Sequence, residues 1–144
     1  MTDPIIVLRK LATLREHLNR ARARRPATAG ELERDPLLQD ALAMSLFVTI
    51  QEAIDIAFHI VADEGWGMPG SYAEAFAILA DKGAIDPGLV APLEGCAHLR
   101  NRIAHGYASV DVERLWKELP QGLAVLERFV AAVATLVDDS ETEA

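Results

Sequence analysis

Arg100, Asn101, Arg102, His105 and Tyr107 fall within one short stretch, RNRIAHGY. An imidazole titrates near neutral pH, so His105 can take a proton from a hydroxyl or return one to a leaving oxygen. Arg100 is a permanent cation whose planar fork fits phosphate oxygens. Together they suit metal-free cleavage of an RNA phosphodiester: one group removes the 2′-hydroxyl proton and another stabilises the phosphorane. Asn101, one turn before His105, is placed to fix the imidazole tautomer by a hydrogen bond. Arg102 points to another side, to bind phosphate, pair with an acid or stay solvated. One histidine supplies one acid–base group and cleavage needs two, so a symmetric dimer with two copies of the helix face to face completes the site. A purely structural reading uses the same residues: cations suit the negative end of a helix, and Gly106 stops it. Arg100 and His105 are five positions apart, about 140° on an ideal helix, so joint action requires a long arginine and a helix that ends at Gly106.

The helix carrying the motif opens at Asp86-Pro87 and runs through Leu89, Leu93, Cys96, Ala97 and Leu99 to about Ala104. The spacing predicts four or five helices around it. The first spans 3–24, with Asp3 as N-cap, Pro4 at the first helical position, and Ile5, Leu8, Leu11, Leu14 (or Ala12) and Leu18 inward. Residues 26–36 read as a loop with room for a short helical turn. Residues 36–63 carry the broadest apolar stripe, from Leu38 to Val61, long enough to span a domain. Gly65, Gly67 and Pro69-Gly70 end it. Ser71, with Glu74, caps a short helix that stops at Lys82-Gly83. Asp111 is the candidate cap of a last helix through Leu136, with an interruption expected at Pro120. No strand pattern appears, so the fold expected is an all-α antiparallel four- to five-helix bundle. The domain expected is 1–137, followed by a flexible acidic tail, 138–144.

The 144 residues suit one domain, and 51% apolar residues suffice for a core. The net charge of −8 argues against nonspecific coating of nucleic acid. The charge is uneven. Residues 1–25 hold seven basic and two acidic side chains, and the remainder holds seven basic and twenty acidic ones. The arginine-rich 15–25 run is a solvated helix end or a local RNA contact. The single cysteine, Cys96, excludes a disulfide within the chain and fits a reducing compartment. With no secretory signal pattern and no unbroken apolar run of membrane length, a cytoplasmic protein without membrane contact is expected.

Other reactive side chains have simpler readings. His17, His59 and His98 lack the clustering a zinc site needs, so no metal and no cofactor are expected. Asp55 and His59, four apart, suit a hydrogen-bonded pair or a second wall of the same cleft. Glu52 and Asp55 read as a solvated face before a metal or acid–base pair. Cys96 reads as a small core residue, Trp66 as loop packing with base stacking as the alternative, and Trp116 and Tyr72 as packing. Tyr107, after a glycine at a helix end, is expected to expose its hydroxyl.

Three blocks, in order, resemble one family. RNRIAHGY matches the R-N-x3-H-x-Y signature of the HEPN superfamily, in particular its HepT-like toxins. LAMSLFVTIQEAIDIAFHIVADEG is similar to that family's long second helix, and PGSYAEAFAILADKGAI and LRNRIAHGYASVD are similar to its following segments. Only the first 35 residues and the acidic tail lie outside. The resemblance implies a HEPN-like helical homodimer whose cleft holds two Arg-x4-His motifs, and a metal-independent endoribonuclease acting as a toxin. It implies Arg100 and His105 as the catalytic pair with Asn101 as polar helper. The partner implied is an MntA-like minimal nucleotidyltransferase antitoxin that transfers AMP to Tyr107. The alternative, from a different class, is a non-catalytic helical module that binds nucleotide or the nucleotidyltransferase.

Overall fold

The computed structural model describes residues 2–106 and 110–143, with side chains described through residue 140. Six α-helices follow in order: α1 (Pro4–Arg24), α2 (Ala29–Glu33), α3 (Pro36–Asp63), α4 (Tyr72–Asp81), α5 (Val90–Ala104) and α6 (Val112–Glu143). A 3-10 turn at Pro87–Leu89 leads into α5. No strand occurs among the described residues.

The caps are mostly those the sequence signals. Asp3 accepts from the Ile5 N–H, Asp86 from the Gly88 N–H, and Asp111 from the Arg114 N–H. Ser71 accepts from the Glu74 N–H, while the Glu74 carboxylate reaches back to the Gly70 N–H. The loop expected over 26–36 contains α2, a five-residue helix closed by a capping box between Thr28 and Glu31.

Helix α3 is the centre of the bundle. Leu42, Leu46, Ile50, Ile54, Ala57, Ile60 and Val61 are all buried against its neighbours. Helix α1 lies antiparallel to it: Thr2 donates through N–H and Oγ1 to Glu64 at 2.9 and 2.7 Å, and Arg24 at the other end reaches the Ser45 hydroxyl. The buried stripe of α1 is Val7, Leu11, Leu14, Leu18 and Ala21. The expected inward Ile5 and Leu8 are instead 61% and 45% exposed. The expected Leu11, Leu14 and Leu18 are buried, and in the first two turns contact with α3 selects Val7 over Ile5 and Leu8. Phe76 of α4 meets Phe129 of α6 edge-on at 5.9 Å, which joins the two halves of the core.

Helix α6 passes through Pro120 without the expected interruption, and it continues through 138–143. A proline in a helix interior leaves the carbonyl four residues earlier without its N–H partner. Here that carbonyl belongs to Trp116, and Arg25 fills the gap: its Nε donates to the Trp116 oxygen at 2.9 Å. The Arg25 guanidinium stacks over the Trp116 ring at 4.0 Å, and the indole N–H donates to the Pro26 carbonyl at 2.8 Å. Arg22 pairs with Glu127 on the same helix. The basic end of α1 is therefore built into the fold. By length and composition α3 and α6 would each cross a membrane, but each buries an apolar face inside the bundle.

Candidate active site on α5

Leu93 and Ala97 are the buried residues of α5, and Arg100 is next on their stripe. A cation at that position must be satisfied or it costs the helix its packing. Three groups do so. Arg100 Nε donates to Gln51 Oε1 of α3 at 2.8 Å. Its Nη1 donates to Asn101 Oδ1 at 3.0 Å. Its guanidinium carbon lies 4.9 Å from the centre of the Phe47 ring. The fork is thus pinned against α3, and both N–H groups of Nη2 and one of Nη1 have no partner among the described residues.

Behind Gln51 the contacts continue. Its Nε2 donates to Asp55 Oδ1 at 2.8 Å, and Lys10 of α1 sits 3.8 Å from Asp55 and 3.7 Å from Glu52. Asp55 and Glu52 therefore hold Lys10. His59, expected beside Asp55, contacts Asp63 at 3.0 Å, while Asp55 accepts from the amide of Gln51.

His105 is the C-cap of α5. Its backbone N–H bonds to the Asn101 carbonyl at 3.1 Å, and its side chain is exposed. Gly106, at φ +92°, turns the chain where a residue with a side chain would be strained. The imidazole has no hydrogen-bond partner among the described residues, and the side-chain oxygen of Asn101 serves Arg100, not a ring nitrogen. Arg100 and Asn101 are brought together, and His105 follows at the C-terminal end of α5, where the helix stops as joint action with a long arginine requires. Arg102 is exposed, and Tyr107 lies outside the described residues.

The direction of α5 places His105. Arg100 meets Phe47 and Gln51, and Ile103 shares an apolar cleft with Leu42 and Ala43, so α5 runs antiparallel to α3. His105 therefore lies toward the N-terminal half of α3, where Leu37 is 82% and Met44 60% exposed. Leu37, Met44, Val48, Gln51 and Asp55 follow one another at three-, four- and seven-residue steps along a single outer stripe.

The remaining candidates are structural. His98 faces Glu94 at 3.7 Å on the solvent side. Cys96 is half-buried, and burial raises its thiol from an ordinary 9.0 to about 11, so it is a poor nucleophile. Trp66 and Tyr72 pack against the core, Tyr72 edge-on to Phe58 at 6.0 Å. Among the described residues no His, Cys, Asp and Glu group is arranged to hold a metal. Sequence reasoning missed Gln51 and Phe47. The available signal was a lone amide on the outward stripe of an apolar helix.

The family model described as "Ribonuclease HepT-like" matches residues 9–133. The chain is 26% identical over 128 residues to the mRNA nuclease HepT of Shewanella oneidensis, covering 89% of this chain and 96% of that one. It superposes on a toxin–antitoxin crystal structure with AMP-PNP at TM-score 0.83 and 25% identity, covering 90% and 98% of the two chains. It also superposes on a tri-AMPylated HEPN toxin of Shewanella oneidensis in complex with MNT antitoxin, at TM-score 0.82 and 25% identity, covering 94% and 99%.

Proposed function

The chain belongs to the ribonuclease HepT-like family, and from that premise we propose that it is a metal-independent endoribonuclease, the toxin of a toxin–antitoxin pair, acting in the cytoplasm as a homodimer. The observation that carries the reading is the Arg100 fork, fixed by Gln51, Asn101 and Phe47 with N–H donors to spare, on the same helix as an exposed His105.

The chemistry follows from those groups. A His105 imidazole takes the proton of the ribose 2′-hydroxyl, and the 2′-oxygen forms a bond to phosphorus. The Arg100 guanidinium meets the negative charge that gathers on the equatorial oxygens. The bond to the 5′-oxygen then breaks, and a second imidazole supplies that oxygen's proton, leaving a cyclic phosphate and a free 5′-hydroxyl. One chain supplies one imidazole at this site and the cleavage uses two, which supports a second copy as the source of the other. The exposed Leu37 and Met44, beside the end of α5, supply an apolar face for that copy. Asn101 orients Arg100, and Arg102 binds a flanking phosphate. The chemistry assigns no step to a metal or cofactor.

The partner is an MntA-like minimal nucleotidyltransferase that neutralises the toxin by moving AMP from ATP to Tyr107, with pyrophosphate leaving. A phosphodiester-linked nucleoside two residues after His105 puts bulk and negative charge where RNA phosphate must approach.

The test is expression of the chain alone and together with such a nucleotidyltransferase. Arrest by the chain alone, relieved by the partner, with AMP mapped to Tyr107 by mass spectrometry, is the expected result. Unimpaired growth with the chain alone contradicts a toxin and returns the non-catalytic binding module.

A further inference from the structure

We propose that Gln51 is a positioning residue for the RNA-cleaving step, chosen as an amide because it holds the Arg100 guanidinium without neutralising it. The inference rests on the ribonuclease reading above and deepens it.

Hydrogen-bond chemistry fixes the orientation of the amide. Arg100 Nε can only donate and the Asp55 carboxylate can only accept, so the Gln51 oxygen must face Arg100 and its nitrogen must face Asp55, as observed at 2.8 Å each. Gln51 is thereby held from behind by a carboxylate that is itself balanced by Lys10, 3.8 Å away. The chain of contacts runs from α5 through α3 to α1, and the residues anchoring it sit on long helices. A site supported in this way keeps its geometry as charge develops.

The choice of residue type has a consequence. A carboxylate at 51 would hold the fork equally well, but it would pair with the cation and compete with phosphate. An aliphatic side chain would leave the cation charged but free to swing. Glutamine alone of these gives position together with full charge. Phe47, beneath the guanidinium face at 4.9 Å, adds a second restraint that does not neutralise.

The experiment compares RNA cleavage by unmodified wild type, Gln51→Leu, Gln51→Glu and Arg100→Ala across a pH series, with thermal unfolding to show that each is folded. Gln51→Leu is expected to lower kcat by about tenfold or more with KM changed far less, since misplacement of a transition-state contact acts on the chemical step. Gln51→Glu is expected to be impaired near neutral pH and to recover relative to wild type as pH falls. The protonated carboxyl can accept from Arg100 and donate to Asp55, as the amide does, and a merely structural role would not produce that recovery. Full cleavage by Gln51→Leu alongside inactive Arg100→Ala overturns the role of Gln51 alone. Equal loss in both Gln51 variants, with no recovery at low pH, also overturns it. No cleavage by wild type overturns the ribonuclease reading and takes this inference with it.

Discussion

Replacing Arg100 with lysine keeps the charge and removes the fork. In the structure Arg100 spends Nε on Gln51 and one N–H of Nη1 on Asn101, and keeps Nη2 and the rest of Nη1 for substrate. A lysine has one nitrogen. If it reaches Gln51 and Asn101 it has a single N–H left for phosphate, and if it turns to phosphate it gives up its anchors. The first case removes two of the three N–H donors that Arg100 keeps for the transition state, and the second keeps the donors but lets the cation swing out of place; a single charge-assisted hydrogen bond lost or misplaced is worth about 1.5–3 kcal/mol. That corresponds to a fall in kcat/KM of roughly 10- to 150-fold. The assay is initial-rate cleavage of a defined RNA by unmodified Arg100→Lys and wild type at equal protomer concentration. Activity within about threefold of wild type would refute the fork, leaving Arg100 as a point charge whose pinning against α3 is incidental.

Three further outcomes follow from the same contacts. Arg25→Met should destabilise by about 2 kcal/mol in urea unfolding, and far less in a Pro120→Ala background, where the restored N–H serves the Trp116 carbonyl; equal losses in both backgrounds would contradict that pairing. Met44→Asp should give a folded protein that is monomeric by light scattering and no longer cleaves RNA, whereas an unchanged dimer would remove α3 from the interface. Cys96, with its thiol raised to about 11, should be alkylated about 100-fold more slowly at pH 8 in the folded protein than in urea. Because the folded thiol keeps its proton to a higher pH than the unfolded one, its contribution to stability is present below pH 9 and is lost as pH rises toward 11.

Local signals in the sequence carried much of the fold. Asp3, Ser71, Asp86 and Asp111 cap where a short polar side chain precedes an apolar run, and Gly106 ends α5 because only a residue without Cβ takes its φ freely. The departures have a common cause, which is choice among locally equivalent options by distant contacts. In α1 the expected Leu11, Leu14 and Leu18 are buried, but before them Ile5 and Leu8 compete with Val7 at equally helical spacing, and packing against α3 selects Val7. The Thr28–Glu31 box that makes α2 is legible as T-x-x-E but lies in a stretch short enough to read as a loop. Pro120 reads as a breaker until Arg25, 91 residues from Trp116, supplies the missing donor. In the site, Arg100, Asn101 and His105 were visible as a cluster. Their division of labour was not, since Gln51 stands 49 residues from Arg100 and no local pattern joins them. The amide of Asn101 turned out to serve Arg100 and not the imidazole, because Arg100 is the donor within its reach.

The most direct test of the central claim uses purified protein, freed of any nucleotidyltransferase and shown by intact mass to carry no AMP on Tyr107. Wild type and His105→Ala are incubated with total RNA in excess chelator. Cleavage by wild type and not by His105→Ala is the result predicted for a metal-independent ribonuclease that uses His105. Equal cleavage by both would remove His105 from the chemistry, and cleavage by wild type that disappears only with chelator would contradict the metal-free mechanism.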